Sequence, residues 1–490
     1  MIARSTGNAR QDAVDLDDVQ GNILRGYRKS RVRHLVVRVV DPGQARHWVK
    51  AIVGSDRSLA PAITRAGHWG AQPPDVCFNL GLTFTGLLAL GVPPPAAQTF
   101  PEAFRDGMAA RAVKLGDWGD SAPEYWQPWF RQASAVHGVV SLYANTVALL
   151  DDYERALMSG LGARAVAVAG RNDGGVFNAD HHADAARQRD EVHFGYRDSI
   201  SQPRFAHLHG VGKYDDQPRA PLGTVLLGHE TAFEGVSWGL PNPPVLGVNG
   251  AFNAYRVLEQ DVAAFEAFLD RAANEVLATA VAHELLPFDL AASADPARRF
   301  EAMRELVAAK LGGRWRNGTP LALSPREPAP QPPVSDTAFD YRDDLDGLKC
   351  PFGSHIRRSN PRGGQIVQRI ANHTRRLVRR GLPYGPKFDP SAPDRAERGL
   401  LGNFLCADLA AQFEAIQYDW INLGLQDPRV TGSNDPLLGA NDPQTSWFDL
   451  PTSQGPIRLR GLPRFVRTRG GAYTFFPGIS ALHWIGSLPR

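Results

Sequence analysis

A short unit of secondary structure occurs in both halves of the chain and constrains its fold more than any other feature. Arg31–Val40 is rich in β-branched residues and predicts a strand, which Asp41-Pro42-Gly43 ends. The apolar residues that follow have helical spacing: Ala45, Trp48, Val49, Ile52 and Val53.

The same order returns after residue 250. Phe252–Leu258 predicts a strand, Asp261 a helix N-cap, and a second apolar stripe follows. The repetition indicates a duplicated α+β module, with the join near residues 205–220. A pair of strands at Ala472–Phe476 and Ile479–Trp484 is predicted to close the chain.

Composition excludes several classes of protein. The chain has 490 residues, 43% of them hydrophobic, which is an ordinary globular composition with room for two or three domains. With 54 Lys+Arg against 51 Asp+Glu, the net charge of +3 gives no reason to expect a nucleic acid or an anionic membrane as partner. The chain has no uninterrupted apolar run of about 18 residues, so no transmembrane helix is predicted.

Cysteine usage and the first residues bear on the compartment. The three cysteines cannot form a disulfide framework and show no zinc spacing. The N-terminal segment has no apolar core of the kind that a secretion signal needs. We therefore expect a cytoplasmic protein, and a homo-oligomer stays open.

Familiar enzyme motifs such as GxGxxG, the P-loop, HExxH and GxSxG are absent, and three polar blocks stand out instead. In the first, Phe194–Pro203, Asp198 lies between Arg197 and Ser199. One interpretation makes Asp198 a turn or helix cap. The other makes it a carboxylate at a pocket wall that accepts and returns a proton.

The second block is Cys350–Arg362. Its His355 precedes several polar residues and a proline, which is poor context for a packed core histidine. An imidazole here could bind iron axially, with the nearby arginines reaching anionic groups of a cofactor. The alternative is a surface loop with a solvated basic cluster.

The third block is His373–Gly385, in which five of thirteen residues are basic. That density is typical of an RNA or phosphate site. A strand whose arginines point alternately to solvent and to a buried pocket explains it equally well.

Together the blocks resemble the dye-decolorizing peroxidases, a family of haem enzymes within a ferredoxin-like superfamily. The resemblance covers nearly the whole chain, and the order of its motifs makes it specific. The motifs are DVQGNILRGY, FGYRDSISQP, PLGTVLLGH, GGRWRNGTPL, CPFGSHIRRSNPR, RRLVRRGLPYG, FLCADLAAQFEAIQYDWIN and FVRTRGGAYTFFPGISAL.

The resemblance implies an α+β fold of the dimeric α/β-barrel superfamily, with two ferredoxin-like modules that each contain an antiparallel sheet with helices. Residues 1–210 would form the N-terminal module, which supplies a distal aspartate, and residues 211–490 the C-terminal module, which holds the haem. The implied cofactor is haem b (iron protoporphyrin IX). The implied partners are hydrogen peroxide and bulky aromatic donors such as dyes and phenols.

The resemblance also implies residue roles. His355 matches the proximal iron ligand, Asp198 the distal acid–base carboxylate, and Arg379 the distal arginine. Arg362 matches an arginine that pairs with a haem propionate. Glu414 is a candidate for the carboxylate that accepts from the proximal histidine, and it is equally compatible with a solvated helix position.

Two positions depart from the family pattern. Ser199 stands where the family usually has glycine, and a positive φ there would strain a serine and could shift Asp198. An extra Gly402-Asn403 pair lies beside residues expected to cover the distal pocket. These departures keep a second function open, a haem-binding or haem-handling protein with little peroxidase turnover. A nucleic-acid protein that uses the Arg357–Arg380 region is a third, remote alternative.

Overall fold

One antiparallel sheet of eight strands organises the part of the chain that the structure describes. The computed structural model describes residues 14–56, 58–67, 69, 74–177, 191–205, 208, 219–232, 236–330, 337–364 and 374–489. The strands of the sheet are β1 (Arg31–Val39), β2 (Cys77–Leu82), β3 (Gly138–Ala144), β4 (Val166–Gly175), β5 (Ala251–Gln260), β6 (Val378–Tyr384), β7 (Gly399–Cys406) and β10 (Val466–Phe476). A separate hairpin consists of β8 (Trp447–Leu450) and β9 (Ile457–Arg460).

The strand order repeats between the two halves of the sheet. Along the sheet the order is β4-β1-β3-β2-β10-β5-β7-β6. The first half consists of β1 to β4, and the second of β5, β6, β7 and β10. When each set is numbered one to four in chain order, its strands lie along the sheet in the order four-one-three-two, which is the ferredoxin-like arrangement. The halves join where Leu82 of β2 pairs with Phe475 of β10. The predicted α+β class with a duplicated antiparallel sheet is confirmed, whereas the division at residue 210 falls outside the described residues and stays a prediction.

Helices cover the sheet and extend beyond it in the second half. They are α1 (Gly21–Leu24), α2 (Pro42–Val53), α3 (Phe84–Ala89), α4 (Pro94–Ala97), α5 (Glu102–Asp106), α6 (Ala112–Leu115), α7 (Pro128–Arg131), α8 (Val147–Met158), α9 (Leu161–Ala165), α10 (Val262–Leu277), α11 (Ala282–Leu285), α12 (Phe288–Ala291), α13 (Pro296–Gly312), α14 (His355–Ser359) and α15 (Ile479–Gly486). Two π-helical segments, Leu409–Glu414 and Ile416–Asn422, follow β7. Among the described helices none is long and apolar enough to cross a membrane.

The repeated strand–Asp–helix units fold as their sequence pattern predicts. Asp41 accepts a hydrogen bond from the Gln44 backbone N–H at 2.7 Å, and Asp261 accepts one from Ala264 at 3.0 Å. Each carboxylate thus satisfies an N–H group that the first turn of its helix leaves free. The apolar stripes of α2 and α10 are buried, so the predicted faces are confirmed.

The prediction of a strand at Ile479–Trp484 is wrong, because this segment forms α15. Asp18, far away in the sequence, fixes its N-terminus: the backbone N–H of Ser480 donates to Asp18 Oδ1 at 2.6 Å. The N–H of Ile479 donates to the Asp18 carbonyl at 2.9 Å. These contacts cap the helix as a local N-cap side chain would. Ala472–Phe476 is part of β10, as predicted.

The described residues form two large apolar cores. The first fills the space between the sheet and the helices of the first half, and α15 contributes to it. The second lies between α10 and α13 and extends to the segment around Cys350 and to β8 and β9. All three cysteines are buried and unpaired. The His355 segment is therefore built on the second core and not directly on the sheet.

Candidate active site

His355 is held at the start of α14 by a buried carboxylate. Its Nδ1 lies 3.0 Å from Oδ2 of Asp435, whose side chain is fully buried. The other carboxylate oxygen of Asp435 accepts from the backbone N–H groups of Leu437 at 2.9 Å and Leu438 at 2.8 Å. With Nδ1–H donating to Asp435, the Nε2 lone pair of His355 is available to a metal.

The prediction that Glu414 holds the proximal histidine is wrong, and so is the alternative of a solvated helix position. Glu414 is fully buried and accepts from Arg111, from Lys114 at 3.1 Å and from the Tyr473 hydroxyl at 3.0 Å. Burial alone would raise the pKa of Glu414, but these cationic and hydroxyl partners lower it below the usual value. Asp435 occupies the role that Glu414 was expected to have.

A buried cation balances Asp435. Arg358 is 1% exposed, and its guanidinium donates to the carbonyls of Gly353, Trp420 and Ser433. Burial lowers the pKa of Arg358 to about 10, so the side chain stays cationic near neutral pH. Burial would raise the pKa of Asp435, but His355 and then Arg358 lower it. Asp435 is therefore an ionised acceptor.

Lys310 holds both ends of the segment that leads to His355. Its Nζ donates to the carbonyls of Leu348 at 2.9 Å and Lys349 at 2.7 Å. Its own carbonyl accepts from the hydroxyl of Ser354, the residue directly before His355. Burial lowers the pKa of Lys310 to about 8, which leaves the ammonium group protonated at neutral pH. The approach to α14 is thus fixed at both ends by one residue of α13.

Asp198 lies on a loop with a strained neighbour. Its side chain is half-buried, and Ser199 after it is exposed with φ of 60°. Because a side chain at positive φ crowds the backbone, this is the conformation that glycine adopts most readily. The serine is therefore accommodated in the left-handed region rather than by a change to negative φ.

Arg379 lies on β6, so the strand interpretation of the third block is confirmed. Its side chain is exposed, and Nη2 donates to the Ser201 carbonyl at 2.6 Å, three residues beyond Asp198. The next arginine, Arg380, is half-buried and donates to the carbonyl of Asn22 at 2.9 Å. Burial lowers the pKa of Arg380 to about 10. The structure thus brings Arg379 to the Asp198 loop and directs Arg380 elsewhere.

A third arginine joins Arg362 and Arg379. Arg362 has φ of 45° and donates to the carbonyls of Thr337 at 2.7 Å and Phe339 at 2.9 Å. Burial, and then the positive charges of Arg362 and Arg379, lower the pKa of Arg376 to about 10. Among the described residues no carboxylate forms an ion pair with Arg376. A half-buried guanidinium beside two other cations is an arrangement that an anionic group would stabilise.

The loop of Asp198 and the helix of His355 rest on the same end of α13. Tyr196 donates its hydroxyl proton to the Ala308 carbonyl at 2.7 Å, and the Arg197 N–H donates to the Arg316 carbonyl at 2.9 Å. On the other side, Gly313 has φ of 89° and packs so closely against Ile356 that a Cβ would not fit. The GGRWRNGTPL motif, which had no assigned role, therefore supports both parts of the site.

The second departure from the family pattern has a simple structural outcome. Gly402 and Asn403 lie inside β7, paired in regular register with Gly381 and Arg380 of β6. The Asn403 side chain is 1% exposed and accepts from the Asn253 amide at 2.9 Å. The pair is thus accommodated within the ladder between β6 and β7.

The donor set fits a haem. Among the described residues, Nε2 of His355 has no hydrogen-bond partner, and Arg362 and Arg376 form no ion pair with a carboxylate. Such a nitrogen can bind a haem iron, and such arginines suit propionate groups. Sequence reasoning missed Asp435 and Arg376. Arg376 was visible only as one basic residue within the third block, whereas Asp435 lies 80 residues from His355 and carried no local signal.

Comparisons with known proteins identify similar chains. A family model described as the DyP dimeric alpha+beta barrel domain matches residues 18–175. Dye-decolorizing peroxidase AauDyP1 from Auricularia auricula-judae is 26% identical and covers 98% of this chain and 88% of its own length. Multifunctional dye peroxidase DyP2 from an Amycolatopsis species is 29% identical, and the match covers 98% of this chain and 97% of that protein.

Solved structures give the same result. A dye-decolorizing peroxidase solved in complex with 2,6-dimethoxyphenol superposes with a TM-score of 0.79 at 27% identity. The match covers 97% of this chain and 100% of that one. The chain is thus similar over nearly its whole length to dye-decolorizing peroxidases. It has the α+β fold of those peroxidases.

Proposed function

We propose that the chain binds haem b through His355 and uses Asp198 and Arg379 to reduce hydrogen peroxide. Two one-electron donors and two protons convert each peroxide into two waters. The donors would be bulky phenols or dyes, in keeping with the structural neighbour solved with 2,6-dimethoxyphenol. The observation that carries the proposal is the contact of His355 Nδ1 with the buried carboxylate of Asp435, which leaves the other imidazole nitrogen for iron.

His355 and Asp435 would act together on the proximal side. Asp435 fixes the ring and, as an ionised acceptor, increases the electron density that the imidazole offers to a metal. Arg362 and Arg376 would pair with the propionates. When bound, the haem supplies the iron at which peroxide is reduced and stores the oxidising equivalents that the donors later remove.

Asp198 and Arg379 would handle protons and charge on the distal side. An ionised carboxylate at Asp198 can take a proton from one peroxide oxygen and return it to the other, which leaves as water. Arg379 stays cationic and stabilises the negative charge that develops as the O–O bond breaks. The contact between Arg379 and Ser201 keeps these two side chains on adjoining segments.

The first experiment is the ultraviolet–visible spectrum of the haem-loaded protein, before and after one equivalent of hydrogen peroxide. We expect a Soret band that changes with peroxide and returns when 2,6-dimethoxyphenol is added. A Soret band that ignores peroxide would contradict the enzyme and leave haem binding alone. Absence of a Soret band would contradict both.

Variants assign the residues. Asp198→Ala and Arg379→Ala should each keep the Soret band and slow the peroxide reaction by about 10²-fold or more. His355→Ala should lose haem, and Arg376→Ala should weaken its binding. Arg155→Ala is the control, because within the described residues this exposed arginine pairs only with exposed Asp152, and its loss should change nothing.

A further inference from the structure

An amide side chain takes the place of a neighbouring strand beside Arg379. Strand β6 is last in the order of the sheet, so within the described residues one of its edges pairs with no strand. There the Gln202 Nε2 donates to the Arg379 carbonyl at 2.9 Å. The Arg379 backbone N–H donates to Gln202 Oε1 at 3.1 Å. One side chain thus satisfies both backbone groups of one residue, as an antiparallel partner would.

The next contact fixes the side chain of Arg379 as well as its backbone. Nη2 of Arg379 donates to the Ser201 carbonyl at 2.6 Å. Ser201 and Gln202 directly follow the Asp198-Ser199-Ile200 turn, so three hydrogen bonds join this turn to a single residue of β6. They set the position of Arg379 relative to Asp198.

We propose that Gln202 is a positioning residue that holds Arg379 at the working distance from Asp198. The inference rests on the proposed peroxidase function, because the distance matters only if both side chains act on peroxide. Gln202 itself would touch neither the peroxide nor the cofactor. It would act through Arg379, since geometry errors of about 1 Å at reacting groups can slow a reaction about 100-fold.

The loop has other anchors, so a change at Gln202 should move Arg379 without unfolding the loop. Tyr196 bonds to Ala308 of α13 at 2.7 Å and Arg197 to Arg316, just beyond that helix, at 2.9 Å, independently of β6. Pro203 and Phe205 after it are buried. Any contribution of Gln202 to the stability of the fold should therefore be small, and it can be told apart from an effect on the rate of the peroxide reaction.

The test compares haem-loaded Gln202→Met, Gln202→Glu and wild type. Methionine has a similar length but neither donates nor accepts these bonds, whereas glutamate keeps the acceptor for the Arg379 N–H. We expect the peroxide rate to fall about 10- to 100-fold in Gln202→Met and less in Gln202→Glu, with the Soret band and Tm retained. Asn274→Ala, which removes an exposed side-chain bond to the Asp270 carbonyl, is the control for losing an amide.

Two further readouts distinguish positioning from structure. In apoprotein, hydrogen exchange at the Arg379 amide should accelerate in Gln202→Met, because its acceptor is gone. In an Arg379→Ala background the same substitution should cause no further loss of rate, since Gln202 acts only through that side chain.

The outcomes separate the two claims. If wild type reacts with peroxide and Gln202→Met reacts as fast, the positioning role is overturned while the peroxidase stands. An additive loss in the double variant overturns it in the same way. If haem-loaded wild type ignores peroxide, the proposed function fails and the inference fails with it.

Discussion

The two sides of the candidate site are held by different means. His355 is held by Asp435, which is fully buried and whose charge is balanced by Arg358, itself 1% exposed. Arg379 and Ser199 are exposed, and Arg379 is held by hydrogen bonds to a loop. The groups that hold His355 are thus buried, whereas Arg379 and its loop lie at the surface of the fold.

This difference separates two kinds of effect. Buried polar groups carry a large desolvation penalty when a partner is lost, so changes near His355 should lower the free energy of unfolding as well as haem affinity. Exposed groups keep access to water, so changes near Arg379 should alter rate more than stability. The following predictions test that separation.

The largest effect is expected from Asp435→Ala. The change leaves the His355 Nδ1–H without its acceptor and Arg358 without its balancing charge. Breaking a fully buried pair costs about 3–5 kcal/mol, and the cost here should be somewhat lower because His355 is 28% exposed. Denaturant unfolding and haem titration should show lower stability and affinity together. Asp449→Ala, whose surface pair with Arg458 is worth under about 1 kcal/mol, is the control. An unchanged free energy of unfolding in Asp435→Ala would contradict the idea that the surroundings of His355 contribute more to stability than those of Arg379.

An intermediate effect is expected from acid on the distal side. His193 donates from Nε2 to the Tyr384 carbonyl at 2.8 Å, and burial, then Arg398 and Lys387, lower its pKa to about 4. When the loop opens, His193 can bind a proton below about pH 6.5, whereas in the closed loop it stays neutral down to about pH 4. The free energy of opening should therefore fall by about 1.4 kcal/mol per pH unit between about pH 6.5 and 4.

Hydrogen exchange of residues 191–202 measures this opening once the intrinsic pH dependence is subtracted. His193→Gln keeps a donor for Tyr384 but does not titrate, so its opening energy should stay level across the same window. Equal pH dependence in the variant and wild type would show that another group controls the loop.

The smallest effect is expected from Ser199→Gly. A serine at φ of 60° costs about 1–2 kcal/mol, and the entropy of glycine offsets about 0.5–1 of that. Thermal unfolding should show a net gain of about 0.5 kcal/mol, and the peroxide rate should stay within about twofold. Ser199→Val should have the opposite sign, because β-branched residues tolerate this region poorly. A loss of stability in Ser199→Gly would mean that the serine side chain is itself a needed contact.

Local patterns predicted much of the fold. The strands that become β1 and β5, the Asp261 cap and the buried faces of α2 and α10 depend on residues within one or two turns, which periodicity reports. α15 was mistaken for a strand because its capping group, Asp18, belongs to the other end of the chain. A pattern within six residues cannot report a partner so distant.

The site was predictable only where a motif carried it. His355, Asp198, Arg362 and Arg379 came from a resemblance, and their catalytic and binding roles stay predictions. Asp435 and Gln202 act through tertiary contacts, to a side chain 80 residues away in the first case and to β6 in the second. Glu414 had a suitable chemical group, but the fold directs it to Arg111 and Tyr473.

The shared support of the site on the end of α13 has a consequence for motion. Because the Asp198 loop and the His355 helix are both attached there, a displacement of α13 carries them in the same direction. Their separation should then fluctuate less than the position of either one. Arg379 belongs to the sheet, so any motion of the Asp198 loop relative to β6 acts on the hydrogen bonds that Ser201 and Gln202 form with Arg379. Loss of these bonds should therefore widen the range of distances between Asp198 and Arg379.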